Sequence, residues 1–210
     1  MKKMKTLFVT DHSTKLATQE VRKECEWVIN GEGKATIKFD GTAAIFMKGN
    51  IYKRWDQKLT KKFNRMKKRQ GKNFVFQEHM LKEIPVGAIA CQEAPDLVTH
   101  HHPHWLLVED KPEDKWFNEA LKVTKDLVEG ATYELVGEKV QNNVYNIVGH
   151  ELWKHGSKEV ENLELTFEGL KLWLLEHNVE GLVFHHPDGR MCKLRRKDFD
   201  IKWNNEDLRK

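Results

Sequence analysis

Residues 34–47 read KATIKFDGTAAIFM. The pattern changes at Gly41-Thr42. Before it, alternation puts Ala35, Ile37 and Phe39 on one face of a strand and Thr36, Lys38 and Asp40 on the other. Gly41-Thr42 supplies a turn, and Ala43 to Met47 resumes the apolar run as a second strand. The Lys48-Gly49 turn then leads into a third strand, Asn50 to Trp55.

Working outward, the segment after these strands is basic. Gln57 to Lys72 holds Lys58, Lys61, Lys62, Arg65, Lys67, Lys68, Arg69 and Lys72 with no acidic residue, and Leu59, Phe63 and Met66 recur at helical spacing. Such a block is an electrostatic footprint for a polyphosphate or nucleic-acid backbone, or else a solvated helix face. Residues 84–92 and 105–109 read as strands. Trp116 to Leu127 has helical spacing, and Thr132 to Val136 is a short strand. Thr166 is placed to cap a helix reaching His177, with Leu170, Trp173 and Leu174 as its stripe. Gly181 to His186 is a strand, Pro187 to Arg190 a turn, and Met191 to Arg195 a returning strand. Strands separated by a few helices, without regular βαβ alternation, predict an α+β fold.

Composition narrows the class. Of 210 residues 39% are hydrophobic and 32% charged, a globular balance, and no apolar run approaches the ~20 residues of a membrane helix. The patch Leu7-Phe8-Val9 is too short for a signal-peptide core and no small-residue cleavage site follows, so an intracellular protein with no membrane partner is expected. Cys25, Cys91 and Cys192 form no CxxC pair, and their odd number fits a reducing cytoplasm and core roles. With no linker or repeat visible, residues 1–210 are expected to form one domain, with a monomer favoured. The run His100-His101-His102-Pro103-His104 offers no partner pair at zinc spacing and reads as an exposed loop.

Three segments carry chemistry. In Lys38-Phe39-Asp40-Gly41-Thr42 a lysine shares a strand face with an aspartate ahead of a glycine turn, the setting of a nucleophile beside a charged partner. Alone, so short a pattern also fits a surface lysine before a hairpin. Thr132-Tyr133-Glu134-Leu135-Val136-Gly137 puts a carboxylate amid apolar neighbours. Glu180-Gly181-Leu182-Val183-Phe184 hairpins onto Cys192-Lys193-Leu194-Arg195, whose two cations share one face. One acid and two bases are thus set around a pocket.

The ordered set KFDGT, YELVG, EGLVF and CKLR resembles motifs I, III, IV and V of the covalent nucleotidyltransferases, which comprise DNA ligases, RNA ligases and capping enzymes. IYKRWD, AIACQE and HGSKEVENL extend the similarity toward the RNA ligase family that includes the vertebrate 5′-3′ RNA ligase. The resemblance implies a nucleotidyltransferase (ATP-grasp-like) domain of mainly antiparallel sheets flanked by helices. With the chain ending soon after the last motif, no OB-fold is expected.

It also implies a three-step reaction. Lys38 attacks the α-phosphate of ATP to form lysyl-AMP, the AMP passes to an RNA 5′-phosphate, and a 3′-hydroxyl displaces it. On this reading Glu134 and Glu180 are ligands for Mg2+ (or Mn2+), and Lys193 and Arg195 stabilise phosphate charge. Asp40, Gly41 and Arg54 join the nucleotide site, and Glu93 matches an acidic family position. Arg195 stands where the family usually has lysine, and Lys197 is a substitute. Trp153, Phe167 and Trp105 are the candidates for stacking on the base. Other readings are a capping-type guanylyltransferase, another AMP transferase, or a non-catalytic RNA-binding relative.

Overall fold

Short alternating runs form strands throughout the chain. A computed structural model describes residues 4–203. In chain order the elements begin with β1 (Lys5–Thr6), β2 (Phe8–Thr10), β3 (Ala17–Val21), α1 (Glu26–Ile29), β4 (Lys34–Lys38), β5 (Thr42–Met47) and β6 (Asn50–Gln57). Next come α2 (Lys61–Gln70), β7 (Ile89–Ala90), β8 (His102–Leu107), α3 (Lys115–Val123), β9 (Thr132–Gly137) and β10 (His150–Lys154). The last are β11 (Glu159–Val160), α4 (Phe167–Glu176), β12 (Gly181–His185) and β13 (Met191–Arg195).

The two strands predicted around Gly41-Thr42 both form, but they do not pair with each other. β4 lies in a five-stranded sheet of order β1-β13-β12-β4-β11, while β5 lies in a six-stranded sheet of order β10-β9-β5-β6-β8-β7. Residues 39–41 carry the chain from one sheet to the other. Apart from the parallel β1–β13 edge, every pairing in these two sheets is antiparallel. The fold is α+β, as predicted, and among the described residues neither sheet closes into a barrel.

Each sheet has its own core. One face of the five-stranded sheet contributes Ala35, Leu182, Phe184, Cys192 and Leu194 to a cluster with Trp27 and Val28 of α1 and Leu170 and Leu174 of α4. Leu7 and Phe8 sit in this cluster, so the N-terminal apolar patch is core strand. Thr166 caps α4 as its sequence predicts, its hydroxyl accepting from the Gly169 N–H at 3.0 Å. The six-stranded sheet packs Ala44, Ile51, Tyr133, Leu135 and Leu152 against Phe117 and Ala120 of α3. A smaller cluster of Leu59, Met80 and Leu81 anchors α2 through Phe63 and Met66. The three cysteines are free thiols; Cys25 and Cys192 are buried core residues and Cys91 is half-buried.

Several boundaries differ from the sequence reading: β6 runs on to Gln57, and the strand expected over 105–109 is β8, which starts and ends earlier. The strand expected over 84–92 shrinks to β7, because Pro85 starts a turn closed by the Ala88 N–H and Gly87 adopts φ +78°. The helix expected to Leu127 stops at Val123, since Thr124 turns extended and its hydroxyl accepts the Leu152 N–H at 3.2 Å. The histidine run is not an exposed loop. His102 begins β8, His100 and His104 are buried, and the His104 Nδ1–H donates to the His102 carbonyl at 2.9 Å. Burial lowers the pKa of both buried rings, favouring neutral imidazoles, and no group of three or more metal-ligating side chains forms among the described residues. No helix there is long and apolar enough to cross a membrane.

The crossing at 39–41 explains the glycine. A Cβ on Gly41 would sit 2.1 Å from the Leu135 carbonyl oxygen and 2.8 Å from Glu134 Cγ, so the link passes against the β9 backbone. Gly41→Ala should cost about 2–3 kcal/mol by overpacking, or roughly 5–10 °C in thermal midpoint. A variant that melts with the parent would show that the link has room to give.

Candidate active site

The face of the five-stranded sheet turned away from its core carries the charges. Lys38 stands opposite Gly181, which stands opposite Arg195; Thr36, Val183 and Lys193 form the next such row. Opposed residues in an antiparallel ladder point the same way, so Lys38, Lys193 and Arg195 share one face. Lys38 Nζ makes an ion pair with Glu180, the residue just before β12, and donates to its neighbour's Phe39 carbonyl at 3.3 Å.

Burial sets the electrostatics here. It raises the pKa of the Glu180 carboxyl, against the pull of Lys38, and with repulsion from Asp40 and Glu134 adding to it. Asp40 is raised for the same leading reason, with Lys38 and Lys197 opposing. Lys193 is pushed down to about 8, by desolvation first, then by Arg195 and Lys38. The backbone at Asp40 is fixed by its N–H donating to the Tyr145 hydroxyl at 2.6 Å; burial raises that phenol's pKa and keeps it protonated.

The six-stranded sheet supplies the opposite wall. Glu134 on β9 lies between Ala43 of β5 and Trp153 of β10 in register. Its side chain is only 10% exposed, and its carboxylate meets His155 Nε2 at 2.7 Å, while His155 Nδ1 contacts the Thr132 hydroxyl at 2.9 Å. The ring therefore aims Glu134 from behind. Between the sheets is a cavity of about 270 Å3 whose lining includes Thr36, Lys38, Glu134, His155, Val183 and His185. Its apolar patches and few convergent polar groups are those of a small-molecule site.

Of the predicted residues, Lys38, Asp40, Gly41, Glu134, Glu180 and Lys193 come together here. Arg195 lies on the right face, but its guanidinium grips Asp198 at 2.7 and 3.2 Å and so helps shape the following turn. Lys197, exposed nearby, acts on Asp40. Arg54 faces a separate cavity and bonds Asp56 at 2.6 Å. Glu93 is exposed beyond β7, at the far edge of the six-stranded sheet, away from the cavity. Among the aromatics, Phe167 packs in the core with Phe8 and Phe199, and Trp105 is buried on β8. Trp153 is the one beside the site, edge-on to Phe39 at 5.1 Å under the ammonium of Lys158.

Sequence reasoning missed His155, Tyr145 and the Thr36–His185 contact of 2.9 Å in the cavity wall. His155 opens the segment HGSKEVENL, which pointed to its neighbourhood without its role. Nothing local marks Tyr145. The assembled groups hold an amine beside a carboxylate, with a second cation and a second carboxylate within one cleft, an arrangement suited to nucleophilic attack on a phosphate.

The sequence profile of the family described as RNA ligase 1 matches residues 95–210. That span includes Glu134, His155, Glu180 and Lys193, while Lys38 precedes it. RNA ligase 1 of Pongo abelii is 32% identical over 108 residues, covering 47% of this chain and 33% of that protein. RNA ligase 1 of Danio rerio is 33% identical over 87 residues, covering 37% of this chain and 26% of that one. The aligned stretches thus span a third or less of these curated relatives' own length.

Lys193 gives a pH signature. Its folded pKa of about 8 lies below the ordinary lysine value, so the unfolded chain binds the extra proton between them and stability contributed here rises with pH over that window. In urea unfolding, the parent should gain stability relative to Lys193→Met on going from pH 7.5 to 9.5. A constant difference between the two would show that Lys193 titrates normally.

Proposed function

We propose that this chain, which belongs to the RNA ligase 1 family, is an ATP-dependent RNA ligase whose nucleophile is Lys38. The observation that carries the reading is the convergence of Lys38, Glu134, Glu180 and Lys193 from three remote segments on one cleft. The substrates are ATP and RNA bearing a 5′-phosphate and a 3′-hydroxyl.

The first step needs a neutral amine. Lys38 must lose a proton before its Nζ attacks the α-phosphorus, forming an N–P bond as the bond to pyrophosphate breaks. Glu180, already paired with that ammonium and raised in pKa by burial, is the proton acceptor. Lys193 stays cationic below about pH 8 and offsets charge on the α-phosphate. The cavity beside Lys38 takes the base, with Val183 as an apolar contact and the Thr36–His185 pair as the polar one. Asp40, Gly41 and Lys197 border the nucleotide.

A magnesium ion, binding through one or two carboxylates and substrate phosphates, would neutralise phosphate charge. Glu134 and Glu180 suit it: both are carboxylates at the cleft, each repels the other's charge, and Glu134 is oriented by His155. In the later steps AMP moves from Lys38 to the RNA 5′-phosphate, and the 3′-hydroxyl displaces it to close the phosphodiester.

Labelled ATP with Mg2+ should tag the protein at Lys38, and Lys38→Ala should remove the label while keeping the fold. Unchanged labelling of that variant would discard Lys38 as nucleophile, and labelling by GTP alone would move the reading to a capping-type enzyme. Glu134→Ala and Glu180→Ala should each slow labelling on the order of 100-fold or more. The labelling rate at subsaturating ATP should fall as pH rises through about 8, and Lys193→Arg should shift that alkaline limb upward. An unmoved limb would assign it to another group.

A further inference from the structure

The helix α2 presents two different faces. Phe63 and Met66 hold it to the small core beside Leu59, Met80 and Leu81. A second stripe, Lys61, Asn64 and Lys68, lines a groove of about 800 Å3. Lys58 and Lys82 form the opposite side, brought together where the Lys82 N–H donates to the Lys58 carbonyl at 2.9 Å. Val98, Thr99 and His101 complete it, and no acidic residue lines it. Lys67 holds this last wall in place, its Nζ 2.9 Å from His100 Nδ1 and 3.4 Å from the Val98 carbonyl. His100 in turn stacks on Phe76 with ring centroids 4.5 Å apart.

The groove continues toward the active site. Thr99 and His101 also line the neighbouring cavity of about 180 Å3, where Arg54 lies with Asp56, its ion-pair partner, and Asp96. Arg54 stands opposite Trp105 on β6, and continuing the β5–β6 register puts it beside Ala43, itself opposite Glu134. Arg54 and Glu134 therefore share a sheet face two strand spacings apart, about 10 Å. Another turn of strand from Arg54 to Lys58 puts the groove roughly 15–20 Å from the cleft.

Resting on the ligase reading, we propose that this groove binds the phosphate backbone of the RNA strand whose end is held at Lys38, with the Arg54 cavity on the path between them. A single phosphate does not fit the layout. Lys61 and Lys68 are separated by about 10 Å along the helix, and Lys82 lies across from them, so the cations match successive phosphates of a strand. Lys62, Arg65 and Arg69 belong to the same basic block but lie outside the groove, Lys62 over the Phe63 ring. They are not part of the site.

That division supplies the test. Two triple variants remove equal charge: Lys61→Ala/Lys68→Ala/Lys82→Ala in the groove and Lys62→Ala/Arg65→Ala/Arg69→Ala outside it. Binding of a 5′-phosphorylated RNA 12-mer is followed by fluorescence anisotropy across a salt series, with ATP labelling of Lys38 as the check on the cleft. The groove variant should lose at least tenfold in affinity, with the salt slope reduced by about 2, and the outer variant less than threefold. Both should label normally. At about 3.4 Å per nucleotide, the difference should vanish for RNAs shorter than roughly five nucleotides. Equal losses in the two variants, an unchanged groove variant, or no RNA binding by the parent would each overturn the groove. Absence of ATP labelling in the parent would instead overturn the ligase reading, leaving the comparison of variants to judge the groove by itself.

Discussion

The chain leaves one sheet and enters the other within the three residues between β4 and β5, and the rest of the site is arranged around that passage. The link runs hard against the β9 backbone, where a Cβ on Gly41 would meet the Leu135 carbonyl. Because the passage is short, Lys38 at the end of one sheet and Glu134 in the middle of the other must face the same cleft. The Tyr145 hydroxyl fixes the same link from outside by accepting the Asp40 N–H. Each sheet is held by its own apolar cluster, so the charged cleft between them needs little of its own apolar packing.

Charges in the cleft are balanced as a group. Lys38, Lys193, Arg195 and Lys197 lie close enough to Asp40, Glu134 and Glu180 or to one another for their charges to interact, and burial works against the charges of Asp40, Glu180 and Lys193. The Lys38–Glu180 pair relieves part of this by neutralising one of each sign. His155 hydrogen-bonds Glu134 and fixes the direction of its carboxylate. On the proposed reading, a polyanionic ligand brought together with its counterion would enter this already crowded set of charges.

The sequence was most legible where a pattern is complete within a few residues. The hairpin of β12 and β13, with Lys193 and Arg195 on one face, follows from alternation around Pro187 to Arg190, and the cap at Thr166 follows from its side chain. Partnering was not legible: nothing in residues 34–47 says that β4 and β5 belong to different sheets, because a strand's period does not name its neighbour. The histidine run misled for a related reason. His102 and His104 are satisfied by backbone carbonyls of Gln92 and His102, an arrangement that exists only once β8 lies between β6 and β7. Of the site, Lys38, Glu134, Glu180 and Lys193 were readable as an ordered set. Tyr145 and the role of His155 were not, since each acts through a residue distant in sequence. Arg54 and Glu93, which come from IYKRWD and AIACQE, do not line the cavity beside Lys38: Arg54 lies about two strands from Glu134 on the same sheet face and Glu93 beyond β7 at the sheet's edge.

The parallel pairing of β1 with β13 joins the beginning of the described chain to its end, and the Leu7 N–H bonds the carbonyl of Lys193 itself. Lys38 and Glu180 are separated by 142 positions. On a ribosome adding about 5–20 residues per second, the lysine emerges roughly 10–30 s before its carboxylate partner. Throughout that interval β4 lacks β12 and β13, for most of it β11 as well, and β1 has no edge to join. The cleft is thus assembled last, after both halves of its frame have been translated, and a nascent chain carries Lys38 without Glu180 and Lys193, which flank it in the folded protein.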